Sequence, residues 1–319
     1  MYDIFGTPDL VSLTAKKMAR ARHAVCRRPL GAGQASPDPR LKPFEPLWTG
    51  LETHPIPDPD EIEHRLAKDV PQMAPFAAWL AGELRVARLA RDPVCSLPPI
   101  LLYGPPGVGK TWLARRIAEL LELPFRLVNL ASSSDSRTLM GTSAGYATGA
   151  ACLPVQLMAT TLCRSPVIGL DEIDKGVRGS SNGSWVDGLL PLLEKVSSRS
   201  VLDEFLMTEV DVSAVTWIAT ANRIELIPRP LLSRFACFEM TGRMTSTLED
   251  ILVPALRSLA TDLGMLEVDL NDLLAPVIAE GIPLPPNPTI RDARAALRVA
   301  LGGYLKSVST QRNLHRLSR

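Results

Sequence analysis

Between Gly104 and Thr111 the chain reads Gly104-Pro105-Pro106-Gly107-Val108-Gly109-Lys110-Thr111, a spacing that satisfies G-x-x-x-x-G-K-[ST]. Each residue type answers a demand of holding a phosphate chain. Glycines let consecutive backbone N–H groups wrap an anion, and a helix opening directly after them adds donors and a favourable dipole. Lys110 would bring a positive charge to the outer phosphates, and the Thr111 hydroxyl is a ligand for magnesium. Sixty-one residues after Lys110, the apolar run Val167-Ile168-Gly169-Leu170 ends in Asp171-Glu172-Ile173-Asp174. Acidic residues at the carboxyl end of a buried parallel strand face the crevice where open α/β sheets bind ligands. Asp171 is read as a magnesium residue acting through the metal's water shell, and Glu172 as the group that polarises an attacking water. Gly169, inside a central strand, is read as permitting close helix packing.

These residues need strands and helices to position them. From Leu97 onward short apolar runs alternate with helical stretches: Ile100–Tyr103, a helix from Lys110 to Leu121, then Phe125–Leu130, Val167–Leu170 and Val215–Thr220. Such alternation predicts a parallel sheet covered by helices. Upstream, residues 60–91 have helical periodicity, with Pro71 and Pro75 near a helix start and Phe76, Trp79, Leu80, Leu84 and Ala87 on one side. Beyond about Met244 the pattern is helical without a convincing strand. Eight prolines between Pro29 and Pro59 predict an extended linker, or a strap lying on another surface. Leu10 to Arg28 carries Lys16, Lys17, Arg20, Arg22, Arg27 and Arg28 without an acid, at a spacing compatible with one helix. That helix is either a solvated face or a contact for nucleic acid or an acidic partner. The reading divides the chain into an arm (1–28), a linker (29–59), a helical lead-in (60–96), an α/β domain (97–243) and a helical domain (244–319).

The 319 residues, with 46% hydrophobic and 22% charged side chains, suit a chain that buries a real core, and a net charge of +1 gives no whole-molecule field for a polyanion. The cysteines, Cys26, Cys95, Cys152, Cys163 and Cys237, are odd in number and never paired as C-x-x-C, so reduced, inert thiols are expected. The four histidines lack metal-ligand spacing. The first residues lack a signal pattern and no apolar run is long enough to span a bilayer, which predicts a cytoplasmic protein with no membrane partner.

Taken together, the motifs resemble those of AAA+ ATPases, and within that superfamily the ATPase module of Lon-type proteases. Gly104–Thr111 is similar to the Walker A motif, and Leu170-Asp171-Glu172-Ile173-Asp174-Lys175 to Walker B. The run Val215–Asn222 looks like the strand ending in sensor 1, Ile227–Phe235 like the stretch carrying the arginine finger, and Thr289–Arg294 like the start of the helix that holds sensor 2. The resemblance covers roughly Leu97 to Leu301. It implies a P-loop three-layer α/β sandwich with a parallel sheet, followed by a small all-α lid. It further implies ATP and Mg2+ as cofactors, bound by Gly104, Pro105, Pro106, Gly107, Val108, Gly109, Lys110, Thr111, Trp112, Asp171 and Arg291, with Thr111 and Asp171 serving the metal. The catalytic set it implies is Glu172, Asn222, which would hold the nucleophilic water, and Arg234, which would reach a neighbouring subunit's nucleotide; Arg229 is an alternative finger.

A finger supplied by a neighbour implies a homo-oligomeric ring, most often a hexamer. In the family, loops at the ring's centre grip polypeptide, and the matching segment here is Thr138-Leu139-Met140-Gly141, with Leu139 in the place of an aromatic residue and Tyr146 as a substitute; the alternative is an ordinary core role for Leu139 and Met140. Only 28 residues follow Arg291, so no Ser–Lys peptidase domain is expected within this sequence. The resulting expectation is an ATP hydrolase that remodels, unfolds or assembles a protein partner without proteolysis of its own. The alternatives are a nucleic-acid-dependent motor using the basic helix and an ATP-switched scaffold that recruits effectors.

Overall fold

The computed structural model describes residues 22–29, 38–130, 137–176, 185–241, 248–285, 288 and 290–317. In chain order, β1 (Arg22–His23), α1 (Pro46–Thr49), β2 (Leu51–Glu52), α2 (Pro59–Asp69) and α3 (Ala74–Ala87) precede β3 (Ile100–Tyr103) and α4 (Lys110–Leu120). β4 (Phe125–Asn129), α5 (Arg137–Met140), α6 (Leu153–Thr161), β5 (Val167–Asp171), α7 (Ile173–Gly176) and α8 (Trp185–Leu193) follow. A hairpin, β6 (Val201–Asp203) and β7 (Thr208–Val210), leads to β8 (Thr216–Ala221), α9 (Arg229–Leu232) and β9 (Ala236–Glu239). Three longer helices close the chain: α10 (Leu248–Leu263), α11 (Glu267–Glu280) and α12 (Ile290–Leu317).

Five strands form one sheet in the order β4-β5-β8-β3-β9, every neighbouring pair parallel. Its central strands are buried on both faces, as their continuous apolar sequences require. Alternate residues divide between two cores because successive strand side chains point to opposite faces. Ile100, Leu102 and Ile218 pack with Leu80 and Leu84 of α3 and with Leu113 and Ile117 of α4. Leu101, Trp217 and Ala219 pack on the other side with Met158 of α6 and Leu189 of α8. This is the expected three-layer α/β arrangement, with the helical C-terminal part built round a third core that includes Leu256, Leu259, Leu274 and Leu297. Among the described residues no helix is long and apolar enough to cross a membrane.

Several expectations change. Gly169 does not make room for a helix: a Cβ there would lie 2.8 Å from Leu127 Cδ1 and Phe125 Cζ on the adjoining strand β4. The basic segment is not helical as far as Arg28, since Arg22 and His23 pair with Glu52 and Leu51 as an antiparallel ribbon; residues 10–21 lie outside the described residues. From residue 38 onward the Pro-rich segment is a strap with a buried underside; residues 30–37 lie outside the described residues. Leu41, Leu47 and Leu51 enter the same core as Trp217 and Leu170, because proline forbids a long helix but leaves single apolar side chains free to dock. Its backbone is stitched to the domain at Glu52 N–H to Leu162 O (2.9 Å) and Arg164 N–H to Glu52 O (3.0 Å), and just upstream Val25 O accepts from Asp211 N–H (2.8 Å). The stretch 60–91 splits into α2 and α3 at Pro71, with Phe76, Leu80 and Leu84 buried as the periodicity predicts.

All five cysteines are free thiols. Burial pushes Cys26 up to about 11 and Cys95 up to about 12, which keeps them protonated and unreactive.

Candidate active site

The loop after β3 starts where Gly104 N–H bonds Ala221 O on β8 (3.1 Å). Gly104 has φ +147°, and a Cβ there would fall 2.1 Å from Met240 O. Only glycine fits so close a backbone passage. Gly109, at φ +94°, caps α4, and a Cβ there would meet Ile290 Cδ1 of α12 at 3.0 Å. The loop therefore turns tightly and lets the lid approach.

Lys110 opens α4 and is buried. Its ammonium donates to Gly104 O (2.8 Å), Pro105 O (2.7 Å) and Asn222 Oδ1 (2.9 Å). Burial lowers its pKa to about 8, against the pull of Asp174 and Asp171 and helped by the positive charge of Arg291. Beside it, Thr111 Oγ1 donates to Asp171 Oδ1 (2.8 Å). Asp171 ends β5, and the same oxygen accepts a bond from Thr220 Oγ1 on β8 (2.5 Å). Thr220 Oγ1 in turn accepts from Glu172 N–H (3.1 Å), so one threonine positions both acidic residues. Glu172 sits at φ +57°, an uncommon conformation for this residue type, and Lys175 Nζ donates to its Oε1 at 2.5 Å.

A cavity of about 450 Å3 opens at this carboxyl edge of the sheet. Pro106, Gly107, Gly109, Lys110, Thr111 and Trp112 line one side. Asp171, Glu172 and Asn222 line the floor, and Arg291 comes from α12 of the lid. Gly104, Pro105 and Val108 shape the loop without lining the cavity. Arg234 stands apart: its guanidinium donates to Pro230 O (2.8 Å) and reaches Glu194 at 3.4 Å. Arg229 is exposed at the start of α9.

Six cavity residues were given no role from the sequence: Lys175, Thr220, Ala221, Ser258, Ile290 and Arg294. Thr220 immediately precedes Ala221 and Asn222 and could have been found by strand register, whereas Ser258 carries no sequence signal at all. The segment expected to grip polypeptide is also different. Leu139 is a core residue at 1% exposure, and Met140 packs over Gly188 of α8, because the apolar pair of the short helix α5 finds α8 as its partner. Tyr146 is 67% exposed, in a loop closed by paired Thr142 and Ala150 backbone bonds.

The donor set fits a nucleoside triphosphate with a hard divalent cation. An ammonium and a glycine loop meet the anion, while a hydroxyl and a carboxylate offer oxygen ligands. Among the described residues no group of three or more His, Cys, Asp or Glu could hold a metal by itself. Residues 100–243 match the family model described as "ATPase family associated with various cellular activities (AAA)".

The chain carries an AAA ATPase domain.

Such a domain indicates an ATP-hydrolysing enzyme. The AAA module is Lon-like: the chain is 30% identical over 234 residues to the Lon protease of Chlamydia muridarum, covering 73% of this chain and 27% of that protein. It is 34% identical over 165 residues to the mitochondrial Lon protease homolog of Saccharomyces cerevisiae, 50% of this chain and 15% of that one. The Lon protease of Magnetococcus marinus is 35% identical over 147 residues, 46% and 18% of the two chains. The chain thus spans little more than a quarter of the first of these relatives and less of the other two.

Proposed function

We propose that this chain is a magnesium-dependent ATP hydrolase that works in a homo-oligomeric ring and uses turnover to remodel, unfold or assemble a protein partner. The observation that carries the hydrolase reading is convergence. Lys110, Thr111, Asp171, Glu172 and Asn222 come from three separate segments and line one cavity at the carboxyl edge of a parallel sheet. The protein-directed part rests on the Lon relatives, which are proteases by name.

In this reading the Lys110 ammonium leaves Asn222 to meet the outer phosphates, and the loop glycines present backbone donors to the phosphate chain. Thr111 and Asp171 would hold magnesium, which would neutralise charge on the phosphates when bound. Glu172 accepts a proton from the water that attacks the γ-phosphoryl group, once it has parted from Lys175, and Asn222 orients that water. Arg291 and Arg294 bring positive charge from the lid. Arg234, turned away from the cavity of its own chain, is assigned to the pocket of a neighbour, which is the ground for proposing a ring.

ATP hydrolysis with magnesium, measured on the full chain and on Lys110→Ala, tests the first part: the variant should lose nucleotide binding, and normal binding and turnover by it would sink the reading. Arg234→Ala should bind ATP without turning it over, and mixing it with Glu172→Gln subunits should restore part of the rate. Capture by the Glu172→Gln form in ATP, followed by mass spectrometry, should return one protein enriched over an ADP control. Stimulation by DNA or RNA instead would favour the nucleic-acid motor.

A further inference from the structure

Asp69 is the last residue of α2 and is 2% exposed. A carboxylate there is doubly disfavoured, by burial and by the negative end of the helix dipole. Two guanidinium groups compensate it. Arg116 Nε of α4 lies 2.7 Å from Asp69 Oδ2, and Arg257 Nη1 of α10 pairs with Asp69 Oδ1. One carboxylate therefore joins the helix that begins at Lys110 to the first helix of the lid.

The place of the two arginines gives the bridge its consequence. Arg116 lies one turn beyond Trp112, and Arg257 is next to Ser258; both Trp112 and Ser258 line the large cavity. The lid has its own apolar core, and between α4 and α10 lies a hollow of about 100 Å3 lined by Trp112, Arg116, Arg257 and Ala260. Close apolar packing thus does not fill this seam, and the charged bridge spans it. Without the carboxylate, two guanidinium groups would face each other across the seam and repel.

We propose that Asp69 is a positioning residue for the nucleotide cavity: by clamping Arg116 to Arg257 it sets the angle of the lid and so brings Ser258, Arg291 and Arg294 to the bound nucleotide. The proposal rests on the nucleotide reading of the cavity. It assigns Asp69 no contact with the nucleotide.

The test uses the full chain, with donor and acceptor dyes on azide-bearing residues at the exposed positions of Leu89 on the core and Leu266 on the lid, and a fluorescent ATP analogue with magnesium. Asp69→Asn should lower energy transfer in the absence of nucleotide and weaken analogue binding about tenfold, with kcat at saturation changed far less than KM. Arg257→Gln should give the same two changes, and the double variant no more than either, since both break one contact. Should Asp69→Asn fail to fold, Arg257→Gln carries the test. Lys110→Ala should abolish analogue binding with energy transfer unchanged. If the Asp69 and Arg257 variants melt earlier but keep normal energy transfer and affinity, the residue is merely structural and the proposal is overturned. If the unsubstituted chain binds no analogue while energy transfer still drops in both variants, the nucleotide reading fails and the clamp stands.

Discussion

The Lys110 ammonium and the Asn222 side-chain carbonyl are hydrogen-bonded at 2.9 Å although 112 residues separate them. Both follow neighbouring parallel strands, β3 and β8, so the strand pairing itself sets their distance. Moving the ammonium toward an anion breaks this bond and frees the amide. Asn222→Ala should leave ATP affinity within a few-fold and lower kcat by about 10–100-fold, the range for loss of a group acting in the transition state. Unchanged steady-state turnover would remove Asn222 from the mechanism.

Nucleotide binding should weaken in mild alkali. The Lys110 pKa is lowered from 10.5 to about 8, first by burial. Between about 8 and 10.5 the unfolded chain therefore binds more protons at this group than the folded one. Its burial penalty is full below the folded value and relieved as pH rises through that window. The folded chain gains stability from this residue there, yet loses the charge that phosphate needs. Affinity for the ATP analogue should fall by up to about tenfold per pH unit above pH 8. Titration of the fluorescent analogue from pH 7 to 9.5 checks it; a flat profile contradicts the assignment.

The pair Lys175–Glu172, joined at 2.5 Å, separates two roles of one carboxylate. Glu172→Gln should bind ATP normally and lower turnover by about 10²-fold or more. Lys175→Ala should leave binding intact and raise basal turnover, because the carboxylate no longer has a competing cation. Phosphate release in single-turnover mixing distinguishes the two, and a Lys175→Ala protein as inactive as Glu172→Gln would show that the lysine supports the chemistry directly.

Two glycines should answer oppositely to the same change. Gly104→Ala places a methyl group against Met240 O at a positive φ and should cost about 3 kcal/mol or more. Gly82, inside α3 with nothing within 4 Å of its Cβ position, should gain roughly 0.5–1 kcal/mol on changing to Ala. Urea unfolding followed by circular dichroism compares them directly.

Truncation of Leu47→Ala should destabilise the ATPase domain by about 2–5 kcal/mol, as for a fully buried leucine, even though the residue lies well upstream of the phosphate loop that begins at Gly104. Leu202→Ala, at 62% exposure, serves as the control and should stay within about 0.5 kcal/mol. Equal midpoints for the two would refute the docked strap.

What was legible in the sequence was chemistry that depends on neighbours along the chain. The glycine spacing before Lys110 and the acids after Leu170 declare themselves locally, and the apolar runs at Ile100–Tyr103 and Val167–Leu170 declare the sheet. What stayed hidden depends on contacts across the fold. Leu139 and Met140 read as a grip or as core until α8 is in place, with Leu139 then enclosed and Met140 partly buried against it. Asp69 looks like any acid near a helix end until Arg116 and Arg257 meet it. The prolines of residues 29–59 forbid a regular helix but give no hint that Leu47 and Leu51 are wholly enclosed.

The strap also routes mechanical load. Val25 and Cys26 donate their backbone N–H groups to Leu47 O, Val25 O takes the N–H of Asp211 beside β7, and Glu52 is hooked to both Leu162 and Arg164. Tension on the chain upstream of Arg22 would thus reach the β6–β7 hairpin and the start of β5 before it could reach the phosphate loop. A load applied at Arg22 would be borne by these bonds and the sheet, and would reach the cavity at Lys110 only through the sheet's own stiffness.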